Sequence, residues 1–176
     1  MKKLMTTALF LLLGTQMNAM AATAGNVAGG GYYMGGGLSS NSLSGFDDAT
    51  GYQIFGGYIL PYQGGGATHS VEFGYMDTGD FETSFQTINL LDPFGPPLTV
   101  DVEENVTGLW ATYTFNMPLS ASVNLLARGG LDFGDDDGLM VGVGFEFDFD
   151  AAFKLRTELV QRDNVDSLQL NIVVPL

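Results

Sequence analysis

Three neighbouring residues carry side chains that could perform hydrolysis. His69, Ser70 and Glu72 offer a base, a nucleophile and a carboxylate within four positions of the sequence, a combination that covalent catalysis uses. His69 and Ser70 are adjacent, however, and adjacent side chains of a β-strand point to opposite faces of the sheet. We therefore expect no catalytic site at this group.

Charged side chains of both signs alternate with apolar residues along several segments. Carboxylates and cations that share one face would form ion pairs, because a cluster of one sign repels itself. We expect these pairs to fill space and fix the fold, and a path for small ions is the alternative. The predicted cluster consists of Glu72, Arg128, Glu146, Lys154, Arg156 and Glu158.

A run of three acids offers a weak cation site. Asp135, Asp136 and Asp137 are consecutive, and carboxylate oxygens are ligands for divalent cations. The run lacks the spaced ligands and the closing glutamate of an EF-hand loop. We therefore expect a solvated acidic face there, with weak cation binding as the alternative, and no resident metal or cofactor elsewhere.

The segment Gly138–Phe149 shows the period that positions these charges. Every odd-numbered residue from Leu139 to Phe149 is apolar, whereas the even-numbered residues after Met140 are glycine or acidic. This alternation is typical of a strand with one apolar and one polar face. Phe153 to Leu159 repeats it after the two-residue turn Asp150–Ala151, so the sequence predicts a long β-hairpin.

The same period recurs along the chain and predicts eight strands. Each has about 10 residues or more, the length of a tilted strand that crosses a bilayer, whereas strands of globular proteins usually have about 5 or 6. The predicted strands are Val27–Leu38, Thr50–Leu60, Ala67–Thr78, Glu103–Phe115, Leu119–Phe133, Gly138–Phe149, Phe153–Leu159 and Ser167–Leu176.

The predicted connections alternate between short turns and longer polar loops. The long loops are Ser39–Ala49 and Gly79–Asp101, and shorter acidic loops cover residues 134–138 and 162–166. Most of the 20 acidic residues fall on this loop-bearing rim, Asp132 and Asp136 among them. Aromatic residues near the strand ends predict two interfacial girdles, one of which includes Phe46, Tyr52, Tyr75, Phe81 and Phe133.

The first residues have the pattern of an export signal. Two lysines, a short apolar run and Ala19-Met20-Ala21 predict a signal peptide over residues 1–21 and one mature domain over residues 22–176. Cleavage would leave four basic residues, Arg128, Lys154, Arg156 and Arg162, against 20 acids. Such a chain is a poor electrostatic partner for nucleic acid, and with no cysteine it has no disulfides.

An exported chain with these strands has two ways to cover its apolar faces. A soluble periplasmic carrier would turn them inward, and a membrane barrel would turn them to lipid with the charges inside. Only helices and closed barrels satisfy every backbone group in lipid. The sequence therefore predicts an all-β fold, an eight-stranded antiparallel up-and-down transmembrane β-barrel preceded by a cleavable signal peptide.

With its strand count, its loop asymmetry and the hairpin FEFDFDAAFKLRTELVQRD, the chain resembles the small outer-membrane barrels of the OmpA transmembrane-domain, OmpX and opacity-protein type. The resemblance implies a monomer in the outer membrane of a Gram-negative bacterium, in contact with lipid and lipopolysaccharide. It implies insertion by the barrel-insertion machinery through the C-terminal strand, although Val174-Pro175-Leu176 stands where such barrels usually end in an aromatic residue.

The resemblance also implies a function. We expect a non-enzymatic protein of envelope integrity, surface interaction or adhesion, with a filled, charged lumen and an extracellular ligand bound through loops 39–49 and 79–102. A lipid A-modifying enzyme and a narrow small-ion channel are the alternatives.

Overall fold

The computed structural model describes residues 30–64, 66–87, 97–149 and 152–176. The predicted signal peptide, the predicted turn Asp150–Ala151 and part of the predicted loop 79–102 lie outside these ranges. Within them no helix is long and apolar enough to cross a membrane. The strands are β1 Tyr32–Leu43, β2 Ala49–Gly64, β3 Ala67–Thr87, β4 Leu98–Pro118, β5 Val123–Gly134, β6 Gly138–Asp148, β7 Lys154–Gln161 and β8 Val165–Pro175.

The eight strands close into a barrel. Each strand pairs antiparallel with the next, and β1 pairs antiparallel with β8 from Tyr33 opposite Pro175 to Leu43 opposite Val165. Closure leaves no open edge around the ring. The prediction of an eight-stranded antiparallel up-and-down barrel is confirmed.

The two faces of the wall differ in chemistry as the alternation predicts. In β8 every second side chain from Val165 to Val173 is buried, and the residues between them are exposed. The exposed set of the barrel is mostly apolar, with Leu139 70% exposed, whereas most buried side chains are polar or charged. Trp110 is 1% exposed and points inward, while its neighbour Leu109 points outward. The wall is therefore apolar outside and polar inside.

Two ends of the barrel can be distinguished by their connections. The turn end carries the start of β1, the end of β8 and the connections β2–β3, β4–β5 and β6–β7, and the loop end carries the other four connections. At the turn end, residues 119–122 form the β4–β5 turn, where the amides of Leu119 and Ser120 donate to the Val123 carbonyl. The predicted start of the fifth strand at Leu119 is therefore wrong by four residues.

At the loop end β1, β3 and β4 are each longer than predicted by at least five residues. β1 continues to Leu43, because Asn41 donates to Ser39 and to the Thr78 carbonyl inside the barrel. β3 continues past Gly79 to Thr87, and β4 begins at Leu98. The predicted loops Ser39–Ala49 and Gly79–Asp101 are thus wrong over Ser39–Leu43, at Ala49, and over 79–87 and 98–101. The reason in β3 is a β-bulge between Asp77 and Asp80 that holds Gly79 at φ 74°.

Glycines make room for large side chains in the narrow interior. An eight-stranded barrel is just wide enough for its own side chains. In five cross-strand pairs a glycine on one strand lies beside a bulky lumen residue on its neighbour, which fills the space that a Cβ would occupy. The pairs are Gly57–Tyr33, Gly35–Phe55, Gly74–Trp110, Gly142–Arg128 and Gly144–Glu158.

Candidate functional site

The six residues predicted to form a charge cluster lie together inside the barrel. They come from lumen-facing positions of β3, β5, β6 and β7. We call this group the lumen cluster: Glu72, Arg128, Glu146, Lys154, Arg156 and Glu158.

Arg156 lies at the centre of the lumen cluster. Its guanidinium is 2.7 Å from Glu72, 3.0 Å from Glu146 and 3.9 Å from Glu158. All four side chains are at most 3% exposed. The Tyr33 hydroxyl donates to Glu72 at 2.6 Å. The guanidinium donates hydrogen bonds to Glu72 and Glu146 and lies within ion-pair distance of Glu158, so one arginine links carboxylates from three different strands.

Arg128, on β5, is the second arginine of the lumen cluster that contacts more than one carboxylate. Its Nε lies 3.0 Å from Glu158, and Nη1 lies 3.6 Å from Glu72. Its other terminal nitrogen donates to Gln169 at 2.9 Å, and the guanidinium lies 4.9 Å from the centre of the Trp110 ring. The two arginines therefore share Glu72 and Glu158 and connect opposite parts of the wall across the lumen.

The lumen cluster reaches solvent only at the turn end. Lys154 is 2.9 Å from Glu146 and 3.2 Å from Asp148, and its side chain is 34% exposed. Asn124 donates to Asp148 at 3.1 Å. The pairs at this end are partly solvated, so they are weaker than the fully buried pairs at the centre.

Towards the loop end the lumen changes from ion pairs to amides and a second ion pair. Gln53 donates to Gln169 at 2.7 Å and to Asn171 at 2.9 Å. Above them Arg162 lies 2.6 Å from Asp132, both fully buried. Asp132 lies at the loop-bearing rim, and the alternation along β5 predicts that it faces inward with Arg128 four residues earlier. Its burial beside Arg162 agrees with that inward register.

The charges of the lumen nearly balance. Its cations are Arg128, Lys154, Arg156 and Arg162, which are all four basic residues outside the first 21 positions. They face the four buried carboxylates Glu72, Asp132, Glu146 and Glu158, and Asp148 at the turn end. Buried charges are tolerated only when they are paired, so this arrangement can fix eight strands in one register.

His69 and Ser70 lie on opposite faces of β3. Ser70 is buried in the lumen, and its hydroxyl donates to the Tyr33 oxygen at 2.9 Å, because the single Tyr33 hydroxyl proton is given to Glu72. His69 lies on the outer face, where its Nδ1 is 2.5 Å from the Tyr113 hydroxyl and its ring contacts Phe115. The wall between them keeps the imidazole from acting as a base for this serine.

The three consecutive aspartates at the loop end differ in their surroundings. Asp136 is buried and accepts from the backbone amides of Asn164 and Val165. Asp135 accepts from the amide and the hydroxyl of Thr107 at 3.0 Å, and these donors hold the pKa of its carboxyl below the usual value. The carboxylates of Asp135 and Asp136 thus hold the loop end together through hydrogen bonds to neighbouring segments. In the described part of the chain, no three histidine, cysteine or acidic side chains are grouped to hold a metal ion.

An apolar layer closes the lumen at the loop end. Phe81 is fully buried and packs edge-on against Phe46 at 6.5 Å, so the prediction of an interfacial girdle position is wrong for Phe81. Tyr52 and Tyr75 lie 6.4 Å apart on the outer wall. On the outer side of this layer, at the loop end, is an open cavity of about 360 Å³ that we call the cup. It is lined by Leu43, Ser44, Phe46, Glu104, Val106, Asp135, Asp136 and Asn164.

Comparison with known proteins identifies relatives of this barrel. A family model described as outer membrane protein beta-barrel domain matches residues 6–171. No curated protein matches the chain. The Yersinia pestis outer membrane protein Ail, solved in a phospholipid bilayer nanodisc, has a TM-score of 0.54 at 12% identity, over 84% of this chain and 100% of Ail.

Two further solved barrels are similar to the chain. A de novo designed transmembrane β-barrel has a TM-score of 0.49 at 12% identity, over 83% of this chain and 96% of the design. Neisserial surface protein A has a TM-score of 0.45 at 12% identity, over 83% and 98% of the two chains. At this identity the likeness to Ail shows a shared fold.

Proposed function

The chain belongs to the outer membrane protein beta-barrel domain family, and from this premise we propose that it is a non-enzymatic surface protein with a sealed lumen. Its place is the outer membrane, where short turns face the periplasm and longer connections face outward. The loop end is then extracellular. The proposed role is to support envelope integrity and to contact other surfaces through the loop end.

The observation that supports this proposal most is the filled lumen. Glu72, Arg128 and Arg156 are at most 1% exposed at the side chain and are joined by ion pairs across the barrel. A hydrated ion would have to separate these pairs, which is costly in a low-dielectric interior. The available surface is therefore outside the lumen, at the ends of the barrel.

The proposal includes the maturation of the chain and its partners. Residues 1–21 are removed as a signal peptide, and residues 22–176 are inserted as a monomer by the barrel-insertion machinery through the C-terminal strand. The apolar outer face contacts lipid and lipopolysaccharide. The acidic outer end repels nucleic acid, and the position of His69 on the outer wall, away from Ser70, supports a non-enzymatic role.

A shortened β3–β4 hairpin tests the surface role. Residues 84–101 are replaced by Asn-Gly, a pair that favours a tight hairpin turn between Thr83 and its partner Val102. The intact chain and this variant are expressed in a Gram-negative host that lacks the protein. We expect the variant to reach the outer membrane and to preserve detergent resistance, but to lose the attachment of cells to plastic and epithelial monolayers that the intact chain confers.

The outcomes separate the two parts of the role. Equal attachment by the intact chain and the variant would contradict a surface role for the hairpin. Detergent resistance that is no higher with either form than in the empty host would contradict the envelope role.

A further inference from the structure

The β3–β4 hairpin continues beyond its neighbours as a two-stranded ribbon. On the β3 side the amide of Asp47, in the β1–β2 loop, donates to the Glu82 carbonyl, and on the β4 side the amide of Asp135, in the β5–β6 loop, donates to the Thr107 carbonyl. We call residues 83–87 of β3 and 98–106 of β4 the outer ribbon. At about 3.3 Å per residue its β4 strand extends roughly 30 Å past the end of β5.

The β4 strand of the outer ribbon has an open edge. Thr107 turns its amide and carbonyl towards Asp135 and β5. In an antiparallel sheet alternate residues turn their backbone groups to the same side. The amides and carbonyls of Thr99, Asp101, Glu103 and Asn105 therefore face that side too, where no strand of the described ranges pairs with them. Such an edge is a template for another strand.

The two faces of the outer ribbon have different chemistry. One face carries the cross-strand pairs Thr83–Val102 and Phe85–Val100 and continues to Leu98. Phe85 is 52% and Leu98 is 54% exposed. The opposite face carries the pairs Glu82–Glu103 and Ser84–Asp101. A strand added at the open edge would meet apolar side chains on one face and carboxylates on the other.

The negative charge of the loop end favours a partner that carries positive charge. All four basic residues outside the first 21 positions lie in the lumen, and none of the described residues on the outer surface at this end is basic. At the base of the ribbon the cup adds the carboxylates of Glu104 and Asp135. A partner segment with positive charge on one face is complementary to this surface, and an acidic segment is repelled.

We propose that the open β4 edge of the outer ribbon, Leu98–Val106, binds an extended polypeptide segment in which apolar and basic residues alternate. The segment adds one strand to the ribbon. Its apolar side chains join Val100 and Val102 on one face, and its basic side chains meet Asp101 and Glu103 on the other. This inference rests on the proposed surface role and names the chemical class of the partner.

A second copy of the chain fits this edge less well. Two ribbons paired edge to edge would place Asp101 and Glu103 of one copy near the same acids of the other, and like charges directly opposite one another destabilise a strand pair. Charged side chains along an edge are a known means of preventing such self-association. The same acids attract a basic strand.

Peptide binding to the intact barrel in nanodiscs of zwitterionic lipid tests the proposal. The probe is a fluorescent eight-residue peptide of alternating lysine and valine. The matched control peptide has the same composition in two blocks, four lysines followed by four valines. Fluorescence anisotropy measures both dissociation constants, with empty nanodiscs as the blank. We expect the alternating peptide to bind at least about tenfold more tightly, because it alone matches both faces of the ribbon.

Matched variants locate the site. Asp101→Asn with Glu103→Gln removes two charges beside the open edge, and Asp48→Asn with Asp163→Asn removes two exposed charges elsewhere on the loop end. We expect the first pair to weaken binding roughly fivefold more than the second, as for two lost cross-strand charge pairs. Thr99→Pro, which removes one amide from the open edge without changing charge, should weaken binding as well.

Several results would overturn the proposal. Equal affinity for the two peptides would show that binding is nonspecific electrostatic attraction to the acidic loop end. Equal losses of affinity in the two double charge variants would show the same. Self-association of the barrel that Thr99→Pro abolishes would assign the edge to a second copy. Absence of binding at millimolar peptide would reject the site, whereas the cell attachment experiment would still decide the surface role independently.

Discussion

Individual buried charges hold this barrel together. Arg156 contacts three carboxylates on β3, β6 and β7 at almost complete burial. Removing one partner from a buried ion-pair network leaves uncompensated charge in a low-dielectric interior, which is far more costly than losing a solvated pair. The stability of the barrel should therefore depend strongly on the arginines and weakly on the lysine.

Arg156→Met should lower the free energy of unfolding by about 3 to 5 kcal/mol, because Glu72, Glu146 and Glu158 lose their shared cation. Lys154→Met is the matched control in the same strand, and its cost should stay below about 1 kcal/mol. Urea unfolding in lipid vesicles measures both values. Equal costs would show that burial does not determine the strength of these pairs.

The carboxyl of Asp135 makes one loop contact sensitive to pH. Donors from Thr107 lower the pKa of this carboxyl below its usual value, so the folded protein favours the charged form. The resulting stabilisation is present at pH values above the unfolded pKa and is lost as the pH falls through the lower folded value.

An NMR titration of the Thr107 amide should therefore show a midpoint below the usual 3.8 of an aspartate, and Asp135→Asn should abolish that transition. A midpoint at or above the usual value would contradict the hydrogen bonds drawn between these residues.

At the scale of elements, glycines decide how closely neighbouring strands approach. A Cβ at Gly37 would collide with the Leu170 carbonyl and would lie 2.6 Å from the Asn171 side chain, at the β1–β8 closure. The outward-facing Gly129 of β5 has nothing within 4 Å of that position.

Gly37→Ala should consequently destabilise the barrel by about 1 to 3 kcal/mol, the usual cost of overpacking. Gly129→Ala should leave stability within about 0.5 kcal/mol of the original, as for an unconstrained surface change. Vesicle unfolding compares the two variants, and a smaller loss at Gly37 than at Gly129 would show that β1 and β8 are not packed as closely as described.

The elements also show what the sequence could predict. Strict alternation in Gly138–Phe149 and Ser167–Leu176 predicted two strands and their faces, because the outer and inner environments differ so strongly. The structure has these strands at Gly138–Asp148 and Val165–Pro175. The extension of β3 past Gly79 was missed, since glycine and acidic residues are typical of loops and a bulge gives no local signal. The pairing of Asp132 with Arg162 also escaped prediction, because it depends on how distant strands align.

At the scale of the whole molecule, the distribution of charge separates two regions. The basic residues that remain beyond position 21 are used inside the barrel, where they neutralise buried carboxylates. The loop end retains a large share of the acids without basic partners on its surface. The four cations therefore pair with carboxylates inside the barrel, and the described surface of the loop end is left with acidic side chains and no basic ones.

Single-channel recording shows whether the lumen is sealed. Purified barrel is inserted into a planar lipid bilayer in molar potassium chloride, and insertion is verified by labelled protein. We expect no conductance steps above the bare bilayer, because the pairs of Arg128 and Arg156 with Glu72 and Glu158 close the path. Reproducible steps of uniform size from the unaltered chain would contradict it.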